Sequence, residues 1–204
     1  MIIEINEQNP DQRKIDQVVK ILNKGGVIIY PTDTVYSFGC SIMHKRAIEK
    51  LAWLRGLKLK KANFSLICFD LSTLSEHVKF IDRPTYKVLN KNLPGPFTFI
   101  LPASNKIPKL FDSNKKTVGI RIPDNNIARE IVRELGHPLV TTSLHDDDDI
   151  VEYTTDPYKI QERWESQVDA IVDGGFGKNE PSTVVDFSEG EVEIVRQGIG
   201  ELIY

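Results

Sequence analysis

The chain has 204 residues, of which 40% are hydrophobic and 27% charged, and a net charge of -3. That suits one globular domain and argues against wholesale coating of nucleic acid, while leaving room for a local basic patch. Cys40 and Cys68 are too few for a disulfide framework and lack metal-site spacing, no apolar run reaches bilayer length, and no signal- or transit-peptide pattern precedes the first strand, so a reducing, cytoplasmic setting is expected.

A strand at Ile2, Ile3 and Ile5 opens the chain, and Ile15, Val18, Val19 and Leu22 then recur at helical spacing between Asp11 and Gly25. Val27 to Tyr30 reads as a buried strand stopped by Pro31. A helix follows with Ile48, Leu51 and Ala52 on one face and Gly56 as its stop. "FSLICFD" reads as a strand, "LSTLSEHV" as a helix opened by Asp70 or Ser72, and "RPTYKVLNKNL" as a helix with Pro84 in its first turn. "PGPFTFILPAS" and "TVGIRIPD" give two strands, "NNIAREIVRELGH" a helix ended by Gly136, and "PLVTTSL" another strand. A helix around Tyr158 to Trp164 and strands at "DAIVDGG", "STVVDF" and "EVEIVRQG" complete the chain. No repeat, linker or boundary interrupts it, so residues 1–204 read as one α/β domain around a mixed sheet.

The unusual feature is where the hydroxyls fall. Ile29 runs into Thr32 and Thr34, and Val140 into Thr141, Thr142 and Ser143, while Thr98, Thr117, Ser182 and Thr183 sit at strand starts. In open α/β sheets, ligands bind beyond strand ends, and hydroxyls there both donate and accept. Single threonines in strands and turns need no ligand; several beside Arg121 and Arg196 point to a site. Alternation sets Arg121 opposite Ile120 and Ile122, which leaves two readings open: a solvated cation, or a guanidinium clasping a carboxylate or phosphate. Arg55, Lys58, Lys60 and Lys61 likewise form either a solvated loop or a polyphosphate or RNA contact. Neither a GxGxxG nor a GKS/GKT loop is present. His145 to Asp149 reads as a solvated acidic loop, with Mg²⁺ contact the lesser reading, because contiguous side chains rarely converge on one ion. Cys40 and Cys68 read as buried inert thiols, and no serine or histidine has the spacing of a nucleophilic site.

In this order, "GGVIIYPTDTVYSFGC", "PGPFTFIL", "VGIRIPD", "PSTVVDF" and "VRQGIGE" resemble the YrdC/YciO family, whose better-known members are threonylcarbamoyl-AMP synthases. The resemblance covers nearly the whole chain, and "NFSLICFDLSTLSEH", "TFILPAS" and "TTSL" place it nearest the YciO branch. It implies a twisted open mixed sheet with flanking helices and a concave basic cavity. It also implies condensation of threonine, bicarbonate and ATP, with Mg²⁺, to threonylcarbamoyl-AMP and pyrophosphate, in the pathway to tRNA threonylcarbamoyladenosine. The alternative it carries is a paralogue that binds double-stranded RNA or tRNA and lacks efficient synthase activity.

By the same resemblance, Thr32, Thr34, Tyr36, Arg121, Thr142 and Ser182 fall on the substrate side, with Asp33 on the pocket floor. Arg55, Lys58, Lys60, Thr98, Ser143 and Arg196 fall on the ATP side. No covalent nucleophile is implied, because a threonine carbamate attacks the α-phosphorus directly. Three departures stand out. The family's Lys-x-Arg motif ahead of Pro-Leu has Lys58-Leu59-Lys60 before Ser65-Leu66 as its nearest match, or else uses Arg55. The Asn of its Ser-x-Asn motif falls on Leu144, and the Gly after Val-Tyr is displaced to Gly39, leaving Ser37-Phe38. Leu144 and Phe38 thereby raise a third expectation, a related adenylating enzyme with a different amino acid.

Overall fold

The computed structural model describes residues 1–107, 111, 116–144, 152–190 and 192–204. The acidic stretch His145 to Asp149 lies outside the described residues. In chain order the elements are β1 (Ile2–Glu4), α1 (Gln12–Asn23), β2 (Val27–Tyr30), β3 (Ser37–Ser41) and α2 (Lys45–Leu54). A 3₁₀ turn at Leu59–Lys61 leads to β4 (Ser65–Ile67), α3 (Leu71–Ser75), α4 (Arg83–Asn92), β5 (Phe97–Pro102) and β6 (Thr117–Arg121). Then come α5 (Asn126–Leu135), β7 (Leu139–Ser143), α6 (Glu152–Thr155), α7 (Pro157–Trp164), β8 (Ala170–Asp173), β9 (Thr183–Asp186) and β10 (Glu193–Arg196).

Local chemistry explains the boundaries. Asp11, Asp70, Asp82, Asn125 and Asp156 each accept a hydrogen bond from a first-turn amide of the following helix, as N-caps should. Gly136 closes α5 at φ 74°, a left-handed conformation that other residues rarely adopt.

All ten described strands form one open mixed sheet, in the order β1-β8-β2-β3-β7-β4-β6-β5-β9-β10. One face is largely apolar. There Ile29, Phe38, Val140, Leu66, Ile120, Phe99 and Val185 pack under α2, α3, α4 and α7 through Ile48, Leu51, Leu74, Leu89 and Ile160. The other face is divided. At one end Ile28, Tyr30, Ile67, Leu139 and Ala170 are covered by α1 and α5, through Ile15, Val18, Leu22, Ile127 and Ile131. With helices on both sides, all four residues of β2 are buried, which is why it reads as an unbroken apolar run. Among the described residues no helix is long and apolar enough to cross a membrane.

Strand β3 is the one not expected from the sequence. "SFGCS" lacks a β-branched residue, yet it pairs antiparallel with both β2 and β7. Its centre needs Gly39, because a Cβ there would meet Tyr30 Cε1 at 2.7 Å. The Tyr30 ring crosses Gly39 so that its hydroxyl reaches Thr141 Oγ1 at 2.8 Å, and Thr141 in turn donates to the Phe38 carbonyl. Gly39→Ala is therefore expected to lower the unfolding free energy by about 1–3 kcal/mol, the usual cost of overpacking. Urea denaturation checks this, and an unchanged midpoint would show that Tyr30 moves aside freely.

Candidate functional site

Where α1 and α5 stop, the divided face continues uncovered, and strand register assigns its residues. Ser37 pairs with Ser143, Gly39 with Thr141, Thr141 with Ser65 and Ser65 with Gly119. Gly119 pairs with Ile100, and Thr98 with Val184. All these side chains share one face, since successive residues alternate. Hydroxyls of β3, β7, β4 and β5, with Gly119 of β6 and Val184 of β9 between and beside them, thus make one floor spanning six strands. Their sequence neighbours Phe38, Val140, Leu66, Ile120 and Phe99 point the other way, into the core. At the middle of the floor a Cβ on Gly119 would meet Ser65 Oγ at 2.6 Å, so only glycine lets that hydroxyl lie there.

Above this floor lies a cleft of about 820 Å³, within the range of small-molecule sites. Among the described residues its charged lining is Arg55, Arg121 and Arg196, with no carboxylate. A chain with a net negative charge thus concentrates positive charge in its largest described cavity. The sequence expectations for Arg55, Thr98, Arg121, Thr142, Ser143, Ser182 and Arg196 converge here. Thr142 lies on the rim: its register partner is Phe38, so its side chain belongs to the opposite face.

Of the two open readings for Arg121, the solvated cation does not hold. The side chain is 4% exposed, and Nη2 donates to Asp33 Oδ1 at 2.9 Å and to Thr34 Oγ1 at 3.0 Å. Arg196 sits at the rim, where Nη2 donates to the Ser182 carbonyl at 2.7 Å. Thr98 and Ser182 share a hydrogen bond of 2.8 Å between their hydroxyls. Partial burial, and then the positive charge of Arg121, hold Arg196 below its usual pKa; it stays cationic, but the two guanidiniums repel. An anion between them relieves both costs.

Five expected site residues lie elsewhere. Thr32, Thr34 and Tyr36 belong to the buried loop joining β2 and β3, of which Val35 lines the cleft and these three do not. A buried loop must satisfy its own polar groups, and this one does. Thr32 Oγ1 donates to the Val35 carbonyl and accepts from the Thr34 amide. Lys178 N donates to the Thr34 carbonyl, and Leu144 N to that of Tyr36. The Tyr36 hydroxyl bridges Gly175 O and Gly174 N, tying the loop to the turn after β8. Lys58 and Lys60 are exposed at the 3₁₀ turn, outside the lining.

Of the residues behind the third expectation, Leu144 lines the cleft, but Phe38 does not. Phe38 is fully buried on the opposite face, edge-on to Trp164 with 5.0 Å between ring centroids. Asn63, Ser65 and Asn179 also line the cleft and were not singled out. The signal that could have found Ser65 is alternation along "SLI", with Leu66 in the core.

Among the described residues no group of three or more His, Cys, Asp or Glu could hold a metal. Cys40 and Cys68 are buried, and burial raises both thiols far above their usual pKa. They are expected to resist a thiol reagent at pH 8 in the native protein and to react on unfolding. Rapid native labelling of either would contradict their placement.

Comparison with known proteins adds five findings. Residues 20–198 match the Sua5/YciO/YrdC family model, described as "Telomere recombination". The Escherichia coli protein YciO, itself described as uncharacterized, is 41% identical over 97% of this chain and 95% of its own. The crystal structure of E. coli YciO superposes with a TM-score of 0.89, covering 98% of this chain and 97% of that one, at 40% identity. A threonylcarbamoyl-AMP synthase of Nitrosococcus oceani is 31% identical over 87% of this chain and 95% of its own. P. abyssi Sua5 complexed with L-threonine shares the fold at a TM-score of 0.86 and 23% identity, with 99% of this chain covering 62% of that one.

Proposed function

Because the chain belongs to the Sua5/YciO/YrdC family, we propose that its cleft makes threonylcarbamoyl-AMP or a closely related carbamoyl-adenylate. The threonine amine forms an N–C bond to bicarbonate, and a C–O bond breaks with loss of water, giving a carbamate. One carbamate oxygen attacks the α-phosphorus of ATP, and pyrophosphate leaves with the electron pair of the broken P–O bond. Such a reaction needs two anions held in line and their charge neutralised, not a nucleophilic side chain. The observation that carries the reading is the pair Arg121 and Arg196, both lining one cleft in which the described residues include no carboxylate. In this reading Arg121 takes the amino-acid carboxylate, and Arg196, Arg55, Thr98 and Ser143 face the nucleotide. Ser182, bonded to Thr98 and Arg196, joins the two halves. Mg²⁺ enters with the nucleotide phosphates, for the lining offers it hydroxyls and, among the described residues, no carboxylate. Thr32, Thr34 and Tyr36 act as framework rather than as ligands.

The test is pyrophosphate release from ATP with bicarbonate and Mg²⁺, with and without L-threonine and with L-serine as control. Threonine-dependent release, with a carbamoyl-adenylate seen by mass spectrometry, is expected. No release from folded protein would end the synthase reading.

A second reading, an RNA-binding protein, is favoured by one observation. Lys58, Lys60 and Lys61 are exposed near Trp53, which is 68% exposed. Binding of duplex RNA through these cations would weaken steeply with salt. A salt-independent or absent interaction removes it.

A further inference from the structure

Asp33 was expected on the pocket floor, yet it does not line the cleft. Its carboxylate is buried behind Arg121, with Oδ1 2.9 Å from Nη2 and Oδ2 accepting from the Asp124 amide at 3.2 Å. It thereby joins the β2–β3 loop to the turn between β6 and α5. The contact to Arg121 is one-pronged. Asp33 and Thr34 together take the donors of Nη2, while Nε is buried without a hydrogen-bond partner. Nη1 also makes no hydrogen bond among the described residues. A two-pronged pairing would have used Nε or Nη1 as well and taken a donor from the group that grips anions. A buried donor left unmade is costly in a finished structure, and it marks a place where a ligand completes the bonding.

We propose that Asp33 is a positioning residue: it holds the guanidinium of Arg121 by Nη2 alone, so that Nε and Nη1 remain to grip an anionic group in the cleft. This rests on the reading that the cleft takes an anion, and it adds how the gripping edge is kept free. Charge matters as well as geometry. The carboxylate compensates the buried guanidinium while the cleft is empty, so the cation need not be solvated there by water that a ligand must displace.

The experiment follows the Arg121 Nε–H resonance in ¹⁵N-labelled protein while L-threonine and, separately, pyrophosphate are titrated. In the wild type a sharp signal is expected to move with at least one probe. In Asp33→Asn, which keeps the size but cannot accept from both Nη2 and Asp124 N, the signal should be lost to exchange. Affinity for that probe should then fall about tenfold, the loss of one charge-assisted hydrogen bond. Asp33→Glu, which restores the carboxylate, should recover part of it. If Asp33→Asn does not fold, Thr34→Val removes the other Nη2 acceptor without unpairing a charge and should lower the same affinity about threefold. Wild-type affinity in the variant that folds overturns the proposal, as does a wild-type resonance indifferent to both probes. A resonance that moves with pyrophosphate alone leaves the role of Asp33 standing and removes Arg121 from the amino-acid carboxylate. Absent turnover with an intact response to L-threonine removes the synthase reading only.

Discussion

Arg121→Ala is expected to abolish threonine-dependent pyrophosphate release and to cost about 3–5 kcal/mol of folding stability, because it strands a buried carboxylate. Both effects come from one geometry. Asp33 is nearly as buried as Arg121, and among the described residues its other oxygen is bonded only to a backbone amide, with no second cation to replace the lost one. Against a typical domain stability of roughly 5–15 kcal/mol, such a loss leaves a protein that folds but melts early. Urea denaturation measures the loss, and release assayed well below the new midpoint separates chemistry from unfolding. Arg121→Lys is the informative companion. It keeps a charge beside Asp33 and should recover much of the stability, but it lacks the planar fork and should recover little turnover. Full turnover in either folded variant would show that the carboxylate is held elsewhere.

Arg196→Ala should separate the two effects that Arg121→Ala combines. Arg196 is only partly buried, and its described partners are the carbonyl and hydroxyl of Ser182 rather than an acid. Its removal unpairs no charge, so stability should change by less than about 1 kcal/mol. Turnover should fall about 10- to 100-fold through weaker use of ATP, the worth of one or two charge-assisted hydrogen bonds. The half-saturating ATP concentration is the quantity to follow. If it is unchanged while that for threonine rises, the two arginines have exchanged their assigned roles.

Much of the fold was legible because most elements announce themselves at both ends. Asp11 and Gly25 frame α1, Pro31 stops β2, and Gly136 closes α5. Strand β3 was not legible, since its pairing is set by neighbours distant in sequence and its glycine by a ring from another strand. The site divided along the same line. Residue type and strand position single out Arg121, Arg196, Thr98 and Ser143, and the fold brings them to the lining of one cleft. Thr32, Asp33, Thr34 and Tyr36 stand out in sequence, but a sequence does not say that their hydrogen bonds go to the protein itself while their neighbour Val35 lines the cleft. Ser65 was passed over because a lone serine in an apolar run carries no signal until register places it beside Gly119.

The floor of this cleft is woven from strands, and the same strands carry the core on their reverse side. Residues such as Ser65, Thr98 and Thr141 are each one position from Leu66, Phe99 and Val140. Adjacent letters of the chain therefore answer to different demands, one to what is recognised and the next to whether the molecule holds together. A lineage can revise the first set while preserving the second, with no loop lengthened and no helix moved. One scaffold can in this way serve several small anionic substrates in succession, and relatives that have parted in chemistry are expected to differ at every second residue of these strands while agreeing at the residues between.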